Sequence, residues 1–236
     1  MSMKRFWINM NILYEKIMLV AFIVALLIVG YGLYDTWYVF NKAKDDSYLQ
    51  YKPRDGQGVP DNAPITEDMV AWLTIDDTNI DYPVMQGEDN MKYLNMNPYG
   101  DYSLSGSIFL DSRNNKNFTD DYSILYGHHM EYGSMFGALD DFRENNYLEK
   151  HSHGTLIVGR DGMRTYDLGV FACIKVNVYD NKVLDPAPLK EISKIISDKA
   201  TFINTSIERS DHILALSTCI EPVSTNRLVV FCYVYE

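Results

Sequence analysis

The sequence lacks the marks of a nucleic-acid binder, a disulfide scaffold or a metalloprotein. The formal net charge is -11, and no Lys/Arg-dense window follows the N-terminus. The basic patch that nucleic acid requires is therefore missing, and no nucleic-acid partner is expected. Cysteine occurs only three times, an odd count, so at least one thiol is free or paired between chains in an extracytoplasmic setting. Cys173 and Cys232 lie in apolar runs and read as buried strand residues that act as small hydrophobes. Histidine clusters only at His128-His129 and His151-Ser152-His153, and no Cys/His/Glu set at zinc spacing accompanies them, so no metal site is expected. Asp76-Asp77, Asp120-Asp121 and Asp140-Asp141 sit in turn-like contexts without a calcium-loop pattern and read as solvated charges. Internal repeats and low-complexity tracts are absent as well.

What is present is a globular composition, with 236 residues, 47% apolar, 22% charged and 13% aromatic. From Ile17 to Tyr34 no charge occurs. As a helix that run spans about 27 Å, close to the hydrocarbon core of a bilayer. Lys4, Arg5 and Lys16 precede it, which places the N-terminus on the cytoplasmic side. A cleaved signal peptide and a buried core helix are the alternatives. The run is longer than a signal-peptide core, and no Ala-x-Ala follows. The expected organisation is a cytoplasmic N-terminus over 1–16 and a single-pass transmembrane anchor over 17–34. A juxtamembrane helix and linker over 35–64 and a folded domain over 65–236 follow. Trp37, Tyr38 and Tyr34 are expected at the membrane interface. Pro53, Pro60, Pro64, Gly56 and Gly58 mark the linker.

Beyond the linker, Thr66-Glu67-Asp68 reads as a helix start capped by Thr66. Brief apolar or alternating runs follow, bounded by Gly and Asn/Asp clusters. They are Ala71–Ile75, Asp81–Gln86, Ser107–Leu110, Ser123–Tyr126, Gly154–Val158, Arg164–Val178, His212–Ser217 and Leu228–Tyr235. Their β-branched and aromatic content predicts strands, and so a mostly β barrel or sandwich. Between the last runs, Leu189, Ile192, Ile195, Ile196 and Phe202 recur at helical spacing behind Pro188, which predicts an inserted helix.

Two of these strands end in groups capable of covalent chemistry. Leu214-Ala215-Leu216-Ser217-Thr218 delivers Cys219 at its C-terminal end, and after a polar turn Arg227 opens the next strand. Paired as a hairpin, the two strands bring Cys219 and Arg227 to one mouth. A thiol nucleophile needs exposure and a nearby cation or base. Arginine keeps its proton, so Arg227 suits an oxyanion rather than a base role. Ile124-Leu125-Tyr126-Gly127 ends in His128, whose imidazole can give and take protons near neutral pH. On extended chain His129 points away from His128. The same residues are also consistent with structural roles, and Glu221 near the thiol reads as a solvated turn charge.

Several segments resemble the sortase family, and class B most closely. Leu216-Ser217-Thr218-Cys219 followed by Arg227-Leu228-Val229-Val230 is similar to the family's Cys…Arg signature, and Tyr126-Gly127-His128-His129-Met130 to its His motif. Asp81–Gln86, Tyr93-Leu94 and Gly106–Arg113 resemble class B segments in family order, and the helix behind Pro188 resembles the class B insertion. Ala215 stands where the family often has Thr, and Arg209 is the alternative to Arg227. The resemblance implies an eight-stranded sortase-type β-barrel with added helices, no cofactor, and a cysteine transpeptidase with catalytic Cys219, His128 and Arg227. Ser217, Thr218 and Leu94 are implied as substrate-binding residues. The implied partners are the membrane, surface proteins or pilins with an LPxTG-like or NPxTx-like sorting signal, and an amine from peptidoglycan precursor or a pilin lysine. A cysteine peptidase or cell-wall hydrolase using water, and a non-catalytic anchored surface domain, are the competing expectations.

Overall fold

A computed structural model describes residues 3–43, 46–54, 56–130, 133–177, 179, 182–186, 189–218 and 225–236. The chain divides into two units, Met1–Lys42 and Ala43–Glu236. The first is one helix, α1, Met3–Ala43. Its Met3–Tyr38 portion is long and apolar enough to cross a membrane and buries nothing within its own unit. It is a candidate membrane span. At 1.5 Å per residue its 41 residues exceed a bilayer core of about 30 Å. Tyr34 lies beside Trp37 and Tyr38 at 6.2 Å between ring centres, forming the aromatic cluster that membrane–water boundaries favour.

The second unit is built on eight strands: β1 Met69–Ile75, β2 Asp81–Met85, β3 Ile108–Leu110, β4 Tyr122–Gly127, β5 His153–Val158, β6 Arg164–Asn177, β7 Ile213–Thr218 and β8 Asn226–Tyr235. They close into a barrel in the order β1-β2-β3-β4-β7-β8-β6-β5. The β2–β3 and β4–β7 pairs are parallel, and the remaining pairs are antiparallel. Among the described residues each strand has a neighbour on both sides, although the short β3 covers only part of β2 and β4. β7 lies between β4 and β8, and all six of its residues are buried, which is why Ile213–Leu216 read as an unbroken apolar run before Ser217 and Thr218. β5 instead alternates, with His153 exposed and Gly154, Leu156 and Val158 buried.

Helical segments fill in around the barrel. A 3₁₀ helix at Phe136–Arg143 and the short α2 at Asn145–Lys150 bury Phe136, Leu139, Phe142 and Leu148. α3 spans Leu189–Lys199 and buries Ile192 and Ile196, four residues apart on one face, as the spacing predicts. Pro188 lies outside the described residues.

The expected helix at Thr66 is not formed. Thr66–Asp68 is a turn, closed by Met69 N–H donating to the Thr66 carbonyl at 3.2 Å. The Asp68 carbonyl accepts Gln86 N–H at 2.9 Å, so the backbone is already committed to the ladder. A helix nucleus has no room to propagate there. Residues expected in the linker contact the barrel: Tyr48 packs beside Trp72 and Tyr82, Val59 is buried, and Lys52 pairs with Asp81 at 2.8 Å.

Candidate active site at one end of the barrel

Parallel pairing of β4 with β7 sets the site. Tyr126 lies opposite Ser217 and Gly127 opposite Thr218. Both strands run in the same direction and stop at the same level, so His128 leaves β4 where Thr218 ends β7. Gly127 is required at this crossing, because a Cβ there would stand 2.8 Å from the Phe136 ring. β8 runs the other way and starts at the same end, with Arg227 one residue inside it. Arg209 precedes β7, at the end where Ile213 pairs with Tyr233. The barrel therefore brings His128 and Arg227 to one end and leaves Arg209 exposed at the other. Cys219 lies outside the described residues.

The His128 ring is half-buried, and its Nε2 lies 2.7 Å from the Leu94 carbonyl oxygen. A carbonyl only accepts, so Nε2 carries the proton and Nδ1 is left for other work. The His128 carbonyl accepts Phe136 N–H at 3.0 Å, which ties the loop to the 3₁₀ helix. His129 points elsewhere, pairing with Asp140 at 2.7 Å. His151 stacks on Tyr147 and bonds the Tyr147 carbonyl, away from His153 on β5. Among the described residues no group of His, Cys, Asp and Glu is placed to hold a metal ion.

Arg227 places its guanidinium carbon 5.9 Å from the centre of the Tyr126 ring, within the range of a cation–π contact. Its Nε is buried with no hydrogen-bond partner among the described residues. The Tyr126 hydroxyl lies 3.1 Å from Asp111 Oδ2 and 3.2 Å from the Leu184 carbonyl, both acceptors for its single proton. Asp111 is fully buried and takes a two-pronged contact from Arg113 at 2.9 and 2.8 Å. Burial pushes the Asp111 carboxyl up, but the Arg113 hydrogen bonds and charge, with the Tyr126 hydroxyl, outweigh it and hold it below the usual carboxylate range. Burial pushes the Tyr126 hydroxyl up, so it stays protonated as a donor. Arg113 also pairs with Asp185 at 2.5 Å, and the Tyr122 hydroxyl donates to the Val183 carbonyl at 2.7 Å. These contacts fasten residues 183–185 to the barrel beside Tyr126.

Ser217 and Thr218 are both buried in β7. The Ser217 hydroxyl faces the Thr218 carbonyl at 3.4 Å, and Thr218 Oγ1 accepts Leu228 N–H at 3.2 Å, tying the end of β7 to the start of β8. Leu94 meets the site through its backbone carbonyl. Asp111, Arg113 and Tyr126 adjoin this end; they lie in segments quoted for the family resemblance, but sequence reasoning gave none of them a role. A groove of about 470 Å3 lies away from this end, lined among others by Asp76, His153, Asp167 and Tyr235.

Comparison with known proteins agrees with this architecture. The model of the sortase domain matches residues 73–234. Sortase B of Listeria monocytogenes is 32% identical over 160 residues, covering 66% of this chain and 64% of that protein, a little under two thirds of its length. Sortase B of Staphylococcus aureus is 32% identical over 173 residues, covering 70% of each. A crystal structure of a Streptococcus pyogenes class B sortase involved in pilus biogenesis superposes with a TM-score of 0.64 at 35% identity, over 72% of this chain and 94% of that one. The S. aureus sortase B structure superposes equally well at 30% identity, over 73% of this chain and 83% of that one. With its closed barrel and class B relatives, the chain belongs to the sortase family.

Proposed function

We propose that this protein is a membrane-anchored cysteine transpeptidase acting on C-terminal sorting signals, with Cys219 as nucleophile, His128 as acid and base, and Arg227 as the oxyanion-side cation. The observation that carries the reading is the register. Gly127 lies opposite Thr218 in the parallel β4–β7 pair, and in sequence His128 follows the one and Cys219 the other. In the β7–β8 pair Ser217 lies opposite Val229, and in sequence Cys219 comes two positions after Ser217 as Arg227 comes two before Val229. His128 and Arg227 thus stand at the barrel end where Thr218 closes β7, and Cys219 is the next residue in the sequence.

The chemistry follows from their properties. The Cys219 thiolate attacks the carbonyl carbon of the scissile peptide bond, and the carbonyl oxygen becomes an oxyanion. Arg227, whose Nε has no protein partner among the described residues, stabilises that charge. The protonated His128 gives its proton to the leaving amine, the carbon–nitrogen bond breaks, and a thioacyl enzyme remains. An incoming amine then attacks the thioester, His128 takes its proton, and the thiolate is released. Leu94, Ser217 and Thr218 border the substrate path in this reading.

Sorting signals of the LPxTG-like or NPxTx-like type on surface proteins or pilins are the proposed substrates. Peptidoglycan precursor or a pilin lysine supplies the amine. α1 serves as a single-pass anchor, with 1–16 in the cytoplasm, 17–34 in the bilayer and 65–236 outside as the catalytic domain. The test is incubation of the protein with sorting peptides and an added amine, followed by mass analysis. The amine joined to the peptide's new C-terminus supports the reading. Release of free acid alone, with the amine present in excess, indicates a hydrolase instead.

A further inference from the structure

We propose that the main-chain carbonyl of Leu94 is the orienting partner of His128, and that Gly106 is the positioning residue that aims it. This rests on His128 being the acid and base of the proposed reaction. Cysteine and serine enzymes of many folds orient their base with a third group that accepts one ring N–H. Here no carboxylate takes that place among the described residues. His129 holds Asp140, while the His128 Nε2–H donates to Leu94 at 2.7 Å. The bond fixes the tautomer with Nδ1 unprotonated, and so selects Nδ1 as the nitrogen that exchanges a proton with thiol and amine.

The carbonyl is held by a built support. Leu94 ends a 3₁₀ turn at Lys92–Leu94, started by Asp89, whose carboxylate accepts the Met91 and Lys92 N–H groups. Tyr93 is buried, its hydroxyl donates to Asp68 at 2.7 Å, and Asp68 pairs with Lys92 at 2.5 Å. The Tyr93 carbonyl accepts Ser107 N–H at 3.0 Å. Gly106 closes this cradle in the left-handed region, at φ +58°. A Cβ there would stand 2.5 Å from the Leu94 oxygen and 2.6 Å from the Tyr93 oxygen. Glycine permits both the backbone angle and the approach. Any other residue at 106 would push the acceptor off the ring.

The experiment is 15N NMR on the histidine-labelled full chain in detergent, at a pH where the rings are neutral, with peptide-cleavage kinetics on G106A. The account expects the His128 Nε2–H resonance to lie downfield and to exchange slowly with water, unlike that of exposed His153. G106A is expected to move the resonance toward that of His153 and to lower kcat about 10- to 100-fold with little change in KM. A predominant Nδ1–H form, or a His128 proton that exchanges as fast as that of His153, overturns the proposal. So does a folded G106A with unchanged kcat. Should G106A not fold, the resonance of the unmodified protein decides alone. H128A kinetics separate the two levels: retained turnover overturns the proposed reaction, whereas turnover lost in H128A with a fast-exchanging His128 Nε2–H in the unmodified protein overturns only the Leu94 assignment.

Discussion

Tyr126 joins the barrel to the reactive end through two separable parts, its ring under Arg227 and its hydroxyl on Asp111 and Leu184. Y126F removes only the hydroxyl. Asp111 keeps Arg113 and Asn90 as donors, so no buried charge is stranded. The expected stability loss is therefore near that of one ordinary hydrogen bond, about 1 kcal/mol. Turnover should stay close to wild type, because the ring remains under Arg227. Y126L removes the ring as well. At 5.9 Å the contact is near the outer limit for cation–π attraction, so its worth is about 0.5–1 kcal/mol. At 1.36 kcal/mol per tenfold, that predicts a two- to fivefold lower kcat/KM beyond the effect of Y126F. Thermal melts and peptide-cleavage kinetics on the two variants give both quantities. The reasoning is refuted if Y126F loses as much activity as Y126L, or if a folded Y126L keeps full activity.

Three further outcomes follow from the same structure. R227K keeps the charge but loses the planar fork, and kcat/KM should fall about 100-fold or more with the melting temperature little changed. G127A places a methyl against Phe136 and Ile108, and overpacking should cost about 1–3 kcal/mol in urea unfolding. D111N should cost about 1.5–3 kcal/mol at neutral pH, the worth of hydrogen bonds to a charged group. The folded Asp111 carboxyl is depressed by Arg113. Its contribution is therefore fully present above the unfolded value of about 3.9 and is lost as pH falls through the lower folded value. The gap between D111N and wild type in urea unfolding should accordingly be wide at pH 7 and shrink steadily as pH falls below the unfolded value of about 3.9.

The strands were legible because most are short apolar or alternating runs bounded by Gly or Asn/Asp, and β8 carries the longest unbroken run, Leu228–Tyr235. α3 was legible from the spacing of Ile192 and Ile196. The helical segments over 136–150 were not, since eight residues of 3₁₀ helix and a six-residue α2 are too short to show a period. Thr66 misled because a capping pattern says nothing about the ladder that claims the next residues. His128 and Arg227 could be named from their places at strand ends. Their placement at one barrel end depends on β7 pairing with β8 and on β4 pairing with β7 across 85 intervening residues, which no local pattern records. The Leu94 carbonyl has no sequence signature either, because every residue owns one. The only trace of it is Gly106, a glycine whose need for positive φ is visible only once the cradle around it is built.

The most direct test of the central claim is mass analysis of the product formed by the full chain in detergent from a sorting peptide and an excess of added amine, alongside C219A and H128A. The account predicts a new amide between the peptide's cleaved carbonyl and the amine, a thioacyl adduct on Cys219 when the amine is left out, and neither species with either variant. Amide formation by C219A at the wild-type rate would contradict it.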